Sequence, residues 1–303
     1  MKDYGKEVAV MKKSIGDYVF DIINGTILIL LAIVTLYPVL YVVFASFSDA
    51  TLLEINQGLL FKPLGFNLNA YKAVLADAQV WTGYKNTIVL VVLGTLTSVV
   101  LTSIGGFVLS RKNVWLNKIL LPMVLITMFF NGGVIPQFIL VRGIGLYNSI
   151  WAVILPTAIT TMNLFIMRTN FASIPDSIEE AAMIDGANML QYFWKFVLPL
   201  SKAVIAVMFL YYGVARWNEW FNPMLYLKDR SLHPLQLYIK EILISAEMES
   251  MMDNMNLNSS DVSRVSETLK YATIVVATVP ILCVYPFIQK YFVKGVMIGA
   301  VKG

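Results

Sequence analysis

The run Arg216-Trp217-Asn218-Glu219-Trp220-Phe221-Asn222 gathers a guanidinium, a carboxylate, amides and indoles into an otherwise apolar neighbourhood. Aromatic rings beside amides and charges suit a carbohydrate, whose C–H faces stack on rings while its hydroxyls need hydrogen-bond partners. A charge inside an apolar segment is costly and faces a bundle interior or water. Arg216 and Glu219 stand three apart and so fit one helix face as a pair. A plainer reading also stands: Trp217 and Trp220 form an interfacial belt and Arg216 snorkels to the surface. Bond-making chemistry has little to work with. A single His, His233, and a single Cys, Cys283, disfavour a His/Cys metal site or nucleophile and rule out an internal disulfide. The chain holds no G-x-x-x-x-G-K-[ST] phosphate loop and no H-E-x-x-H sequence, and its apolar segments lack paired carboxylates at helical spacing. Those absences disfavour ATP hydrolysis, metal-assisted hydrolysis and proton coupling by this chain.

A second stretch is built to be gripped by a partner. Residues 174–199, IPDSIEEAAMIDGANMLQYFWKFVLP, form a polar, partly amphipathic insert between long apolar segments. Pro175 and Asp176 start a helix, and Asp176 with Glu179 gives a D-x-x-E version of the capping box. Ala181 and Ala182 leave a smooth face for close approach, and Ile178 and Met183 supply apolar knobs. Gly186 follows Asp185 where a short helix calls for a left-handed residue. Asn188 and Gln191 cap a second short helix, and Pro199 stops it. The expectation is helix, sharp bend, helix, lying near a membrane surface.

The elements that must position these residues follow from composition. Of 303 residues, 58% are hydrophobic and 14% charged, and the mean hydropathy is +0.70. Soluble domains are about one quarter charged, so the balance is that of an integral membrane protein. The net charge of +4 is scattered among loops and is no nucleic-acid footprint. Apolar runs predict six spans, near 19–47, 84–109, 116–141, 150–167, 199–227 and 271–292. The division is then an N-terminal segment 1–17, a six-span domain 18–293 with external segments 48–83 and 228–268, a loop 172–199 on the other side, and a tail 294–303. The second span is rich in small residues that allow close helix approach, among them Gly94, Thr95, Ser98, Thr102 and Gly106. The third is interrupted by Pro122, Asn131-Gly132-Gly133 and Pro136. Breaks at membrane depth are tolerated only against protein or a watery cavity, which makes Phe130 and Asn131 pathway candidates; Asn131 equally fits a loop tip outside the membrane. Asn163, in the fourth span beside Pro156, Thr160 and Thr161, is another candidate. Short segments on the side of the termini carry most of the Lys and Arg, against Arg142 alone in the one short opposite loop, so both termini and the 172–199 loop are expected to be cytoplasmic.

Glu180-Ala181-Ala182, then Gly186, then Phe196-Val197-Leu198-Pro199 resembles the EAA loop of type I ABC importer permeases, with Phe196 where an aliphatic residue is usual. Asn163, Met167-Arg168, Asp185-Gly186-Ala187, Trp217-Asn218 and the Lys294 to Gly303 tail extend the likeness over essentially the whole chain, to carbohydrate-uptake permeases of the maltose-permease type. Gly16-Asp17, Phe20-Asp21 and Leu36-Tyr37-Pro38 resemble the subgroup that serves oligosaccharides and polysaccharide fragments. The resemblance implies an all-α, multi-pass permease of the bacterial inner membrane, non-catalytic and without a cofactor of its own. It implies a second, homologous permease subunit forming a heterodimer, two ATPase subunits that use ATP, an external solute-binding protein and an oligosaccharide substrate. It makes Ile178, Glu179, Glu180, Ala181, Ala182, Asp185 and Gly186 the coupling element that docks on an ATPase, with the tail a second, weaker contact. The substrate pathway would then include Arg216, Trp217, Asn218, Glu219, Trp220, Asn222, Phe130, Asn131 and Asn163. A permease of this kind for a non-sugar solute, and a polytopic membrane enzyme, remain the alternatives.

Overall fold

A computed structural model describes residues 14–56, 58–255 and 268–283, and among these every regular element is helical. In chain order they are α1 (Ile15–Ser46), α2 (Ala50–Ile55), α3 (Asn69–Ala76), α4 (Ala78–Ser110), α5 (Asn117–Phe129), α6 (Val134–Gly143), α7 (Ile150–Ile154), α8 (Thr161–Ala172), α9 (Asp176–Ile184), α10 (Met189–Tyr192), α11 (Leu198–Leu200), α12 (Lys202–Trp217), α13 (Phe221–Tyr226), α14 (Leu235–Met255) and α15 (Thr268–Cys283). A 3₁₀ turn, Leu155–Thr157, prolongs α7.

Two helices, α1 and α4, are each long and apolar enough to cross a membrane. Three bent pairs qualify as broken spans: α5 with α6 at 118°, Ile150–Thr157 with α8 at 54°, and Met189–Leu200 with α12 at 81°. That makes up to five spans among the described residues. The sixth, expected at 271–292, is described to Cys283 as the apolar helix α15; its remainder with Pro286, the segment 1–13 and the tail 294–303 lie outside the described residues.

The central helix is α4, which α8, α12 and α14 pack around. Its buried face is the small-residue face foreseen in the sequence: Gly94, Thr95, Ser98, Thr102, Ser103 and Gly106. A Cβ on Gly106 would stand 2.9 Å from Met167 Cγ and 3.2 Å from the Arg168 backbone nitrogen, so α4 and α8 touch through this glycine. Gly106→Val is expected to cost about 1–3 kcal/mol through overpacking, read as a lower melting temperature of the detergent-solubilised protein. The largest buried cluster lies where α4, α8, α9, α10 and α12 meet, with Val99, Met167, Phe171, Ala182, Tyr192, Phe193 and Met208.

The interruption within residues 116–141 is a sharp bend: Gly133 takes φ +87°, Asn131 Oδ1 accepts from the Gly133 N–H at 2.9 Å, and α6 leaves α5 at 118°. One boundary differs from the sequence expectation. Residues 199–227 do not run through as one helix, because α12 ends at Trp217 and the chain turns at 218–220 into α13.

At the other end of the bundle, Tyr238 on α14 donates a hydrogen bond to Asp77, the residue that caps α4. Burial first, then the hydrogen bond and charge of Asp77, push the Tyr238 phenol up to about 12 from 10.0. A folded-state pKa raised in this way adds stability below pH 10.0 that is lost as pH climbs through about 12. An alkaline titration of α14 packing, followed by Tyr238 absorbance, is expected to show that step, and Tyr238→Phe to remove it.

Candidate functional site

The stretch 174–199 folds as helix, bend, helix. Gly186 takes φ +80° directly after the Asp185 cap, as the sequence demands of a left-handed position. Asn188 and Gln191 form a reciprocal capping box on α10, with bonds of 2.8 and 3.0 Å. The proposed box at the start of α9 is absent. Asp176 is already inside the helix behind Pro175, and its partner Glu179 points elsewhere. Pro199 does not end the second helix either. Lacking an N–H, it is preceded by a π turn over Phe193–Val197, where the Leu198 N–H bonds Phe193 O. The sharp break comes at Ser201, with the 81° bend. Phe196, the departure from the usual aliphatic residue, stacks on Tyr192 with centroids 6.0 Å apart.

The two faces of α9 are distinct. Ala182 is buried against the Met167, Phe171 and Phe193 cluster, with Ile178 and Met183 packed beside it. The pairing of Ala181 with Ala182 as one free surface is therefore corrected: the two lie about 100° apart around a helix, and Ala182 faces inward. The apolar knobs Ile178 and Met183 pack on the same cluster and are partly buried. The outer stripe is Ser177, Glu180, Ala181 and Ile184, all exposed and spaced as one helical face. Ile184 is 85% exposed, an aliphatic side chain that the described residues leave largely uncovered.

Side chains just beyond α4 hold the inner edge of α9. Arg111 Nη1 lies 2.5 Å from Glu179 Oε2, while its Nη2 donates to Phe171 O at 3.3 Å and Ser110 Oγ at 3.0 Å. Its guanidinium carbon sits 4.9 Å from the Phe107 ring centroid and 5.8 Å from that of Tyr192. Lys112 Nζ reaches Asp176 Oδ2 at 2.7 Å, and that hydrogen bond, then the ammonium charge, holds the exposed carboxyl below its usual range. Between them lies a groove of ≈ 900 Å³, lined by Arg111, Lys112, Glu179, Glu180 and Ile184 among others. The sequence marks Arg111-Lys112 as a basic turn but gives no sign that it meets α9.

The Arg216 group is arranged otherwise than expected. Arg216 does not pair with Glu219, because α12 stops at Trp217 and Glu219 leaves the helix face. Glu219 Oε1 accepts instead from the Asn222 N–H and Nδ2 at 3.3 and 3.2 Å. Arg216 is 3% exposed, and its guanidinium is turned into its own chain. It donates to the carbonyls of Val153 (3.2 Å), Ile154 (3.1 Å) and Thr157 (3.0 Å), to Thr157 Oγ1 (2.6 Å) and to Ser98 Oγ (3.5 Å). Trp217 Nε1 is buried without a hydrogen-bond partner among the described residues. Asn218 is exposed and bonds back to Val214 O at 2.9 Å. Trp220 lies beneath Lys240, whose Nζ is 5.5 Å from the ring centroid. Asn163 is buried on α8. Phe130 and Asn131 are exposed, and no hydrogen bond, ion pair or ring contact among the described residues joins them to the Arg216 group. Thr127 of α5 does meet Thr161 of α8 at 3.3 Å. Three or more potential metal-binding side chains gather nowhere among the described residues.

Residues 98–298 match the family described as binding-protein-dependent transport system inner membrane component. The chain is 40% identical over 286 residues to the polygalacturonan/rhamnogalacturonan transport system permease protein YtcP of Bacillus subtilis, covering 94% of this chain and 98% of that protein. It is 36% identical over 297 residues to protein LplC of the same organism, covering 98% and 99%. Among solved structures, a chain from a bacterial ABC transporter involved in the import of the acidic polysaccharide alginate superposes with a TM-score of 0.82 at 34% identity, covering 93% of this chain and all of that one.

Proposed function

The chain belongs to the family of binding-protein-dependent transport system inner membrane components, and from that membership we infer which of its surfaces carry a solute and which receive the driving force. It is a non-catalytic, multi-pass permease subunit of an ABC importer for carbohydrate. Such a subunit works with an ATPase, a substrate-binding protein and a second permease. We propose one related permease and two ATPase subunits per complex, with ATP bound by those partners and no cofactor in this chain. On this reading both termini and α9 are cytoplasmic. The outer stripe Ser177, Glu180, Ala181 and Ile184 seats on the ATPase, and Asp185 with Gly186 shapes the turn behind it. Glu179 and Ala182 hold the helix to the bundle. Trp217, Asn218, Trp220, Asn222, Asn163, Phe130 and Asn131 belong to the solute pathway.

The observation that carries this reading is the division of α9 into a packed inner face and an exposed stripe ending in Ile184. A membrane subunit gains nothing from an aliphatic side chain held out on a polar turn unless another surface covers it. Ala181→Cys in a Cys283→Ser background is expected to cross-link to a nucleotide-hydrolysing subunit in membranes. Labelling of that cysteine from outside the cell would overturn it. We further propose an acidic oligosaccharide as cargo, since relatives are named for polygalacturonan/rhamnogalacturonan and for the acidic polysaccharide alginate. Proteoliposome uptake of an oligogalacturonate against a neutral oligosaccharide of equal length tests it, and preference for the neutral sugar counts against it.

A further inference from the structure

The break in the fourth span is closed by side chains of another helix. Pro156 lacks an N–H, and the chain leaves helical geometry after Ala158 and re-enters it at Thr161. Carbonyls at the end of the first half and N–H groups at the start of the second then lose their intrahelical partners. Both ends are met by α12. Arg216 covers the carbonyls of Val153, Ile154 and Thr157, which places a cation at a helix C-terminus, where the backbone dipole favours one. One turn earlier, Tyr212 accepts the Thr160 N–H at 3.3 Å with its hydroxyl, and the same hydroxyl stands 2.7 Å from Thr102 Oγ1 of α4. Residues 212 and 216 are i and i+4 on α12, so they stand one above the other. The bundle makes room for the guanidinium at Gly94, where a Cβ would come within 3.0 Å of Arg216 Nε.

We propose that Arg216 and Tyr212 are positioning residues that set the angle of the broken fourth span, and that through them movement of α9 and α8 reaches the half of the span beyond the break. The proposal rests on α9 being the docking helix. The connection is short, since only 173–175 separate α8 from α9. A continuous helix would transmit such a movement through its own hydrogen-bond ladder. Here the ladder is interrupted, and the groups that bridge it belong to α12. Arg216 thus touches no solute in this arrangement, which separates it from the pathway residues near it in sequence.

The test uses the complete importer with its binding protein and ATPase subunits in proteoliposomes, reading sugar uptake and ATP hydrolysis side by side. Arg216→Met and Arg216→Lys are expected to lower uptake at least about tenfold while stimulated hydrolysis stays within about twofold; Lys keeps the charge but not the fork that reaches several acceptors. Tyr212→Phe keeps the ring and loses the hydroxyl, and is expected to lower the uptake-to-hydrolysis ratio several-fold. Gly94→Ala displaces the guanidinium without removing it and is expected to act in the same direction. Should Arg216→Met fail to assemble, Tyr212→Phe and Gly94→Ala decide the matter. Uptake and hydrolysis falling in equal proportion in assembled variants, or neither falling, would overturn the proposal. If the unaltered complex shows no ATP-driven sugar uptake, the functional reading fails instead.

Discussion

An importer carrying Ile184→Asp is expected to insert and fold as the wild type does, yet to lose its ATPase subunits on purification and with them its uptake. Ile184 is 85% exposed, so a carboxylate there removes no internal packing. It does stand at the end of the outer stripe of α9, where an aliphatic anchor is the side chain a partner's groove would desolvate. Burying a charge in its place costs the docking free energy about 2 kcal/mol or more, roughly thirtyfold in affinity. A second substitution separates docking from packing. Ala182 is 2% exposed and sits against Met167 and Phe171, so Ala182→Asp buries an unpaired carboxylate inside the chain. That variant is expected to be degraded or to melt early, independently of any ATPase. Co-purification on a tagged permease, with melting curves of the permease alone, distinguishes the two. Wild-type retention of the ATPase by Ile184→Asp would remove α9's outer stripe as the docking face.

Much of the scaffold is readable in the sequence because its cause is local. The small residues of the second span predict a helix that others approach closely, and α4 is that helix. Gly186 and the Asn188/Gln191 pair announce the turn and the cap, since each satisfies backbone groups within a few residues. What the sequence conceals is set at a distance. Whether Ala181 or Ala182 faces inward depends on where Phe171 and Phe193 lie, although the spacing of Ser177, Glu180, Ala181 and Ile184 could have flagged an outer stripe with one misplaced aliphatic residue. Arg216 reads as a pathway charge because its acceptors are main-chain carbonyls, which every residue possesses and none advertises. Its proper sign was the proline of the fourth span: a break there frees carbonyls, and freed carbonyls at membrane depth call for a donor. The Asp176/Glu179 box failed for a related reason. A competing partner, Arg111, lies 68 residues away in sequence from Glu179 and outbids a local cap.

Removing Arg111 should have the other large effect, through a different route from Ile184. Arg111 joins the end of α4 to α9 by its 2.5 Å contact with Glu179, to α8 by the Phe171 carbonyl, and to the rings of Phe107 and Tyr192 by their faces. Both partners of the ion pair are largely shielded, with side-chain exposures of 12% and 20%. Arg111→Ala leaves the Glu179 carboxylate without its cation and strips a guanidinium from two aromatic faces, a loss of about 2–4 kcal/mol at that junction. The neighbouring Lys112–Asp176 pair cannot replace it, because both groups are exposed and solvent screens them. The outer stripe of α9 is untouched, so the ATPase is expected to remain bound while uptake falls at least about tenfold, since α9 no longer carries α4 with it. Arg111→Lys should recover only part of the loss, having neither the fork nor the flat face that stacks on Phe107. Exchanging the charges, with Arg111→Glu and Glu179→Arg together, should recover little, because a carboxylate then faces the electron-rich rings of Phe107 and Tyr192. Glu179→Gln keeps an acceptor for the guanidinium and should be the mildest of the set. Uptake by Arg111→Ala equal to the wild type, in a complex that retains its ATPase, would show that α9 passes its motion to the bundle by α8 alone.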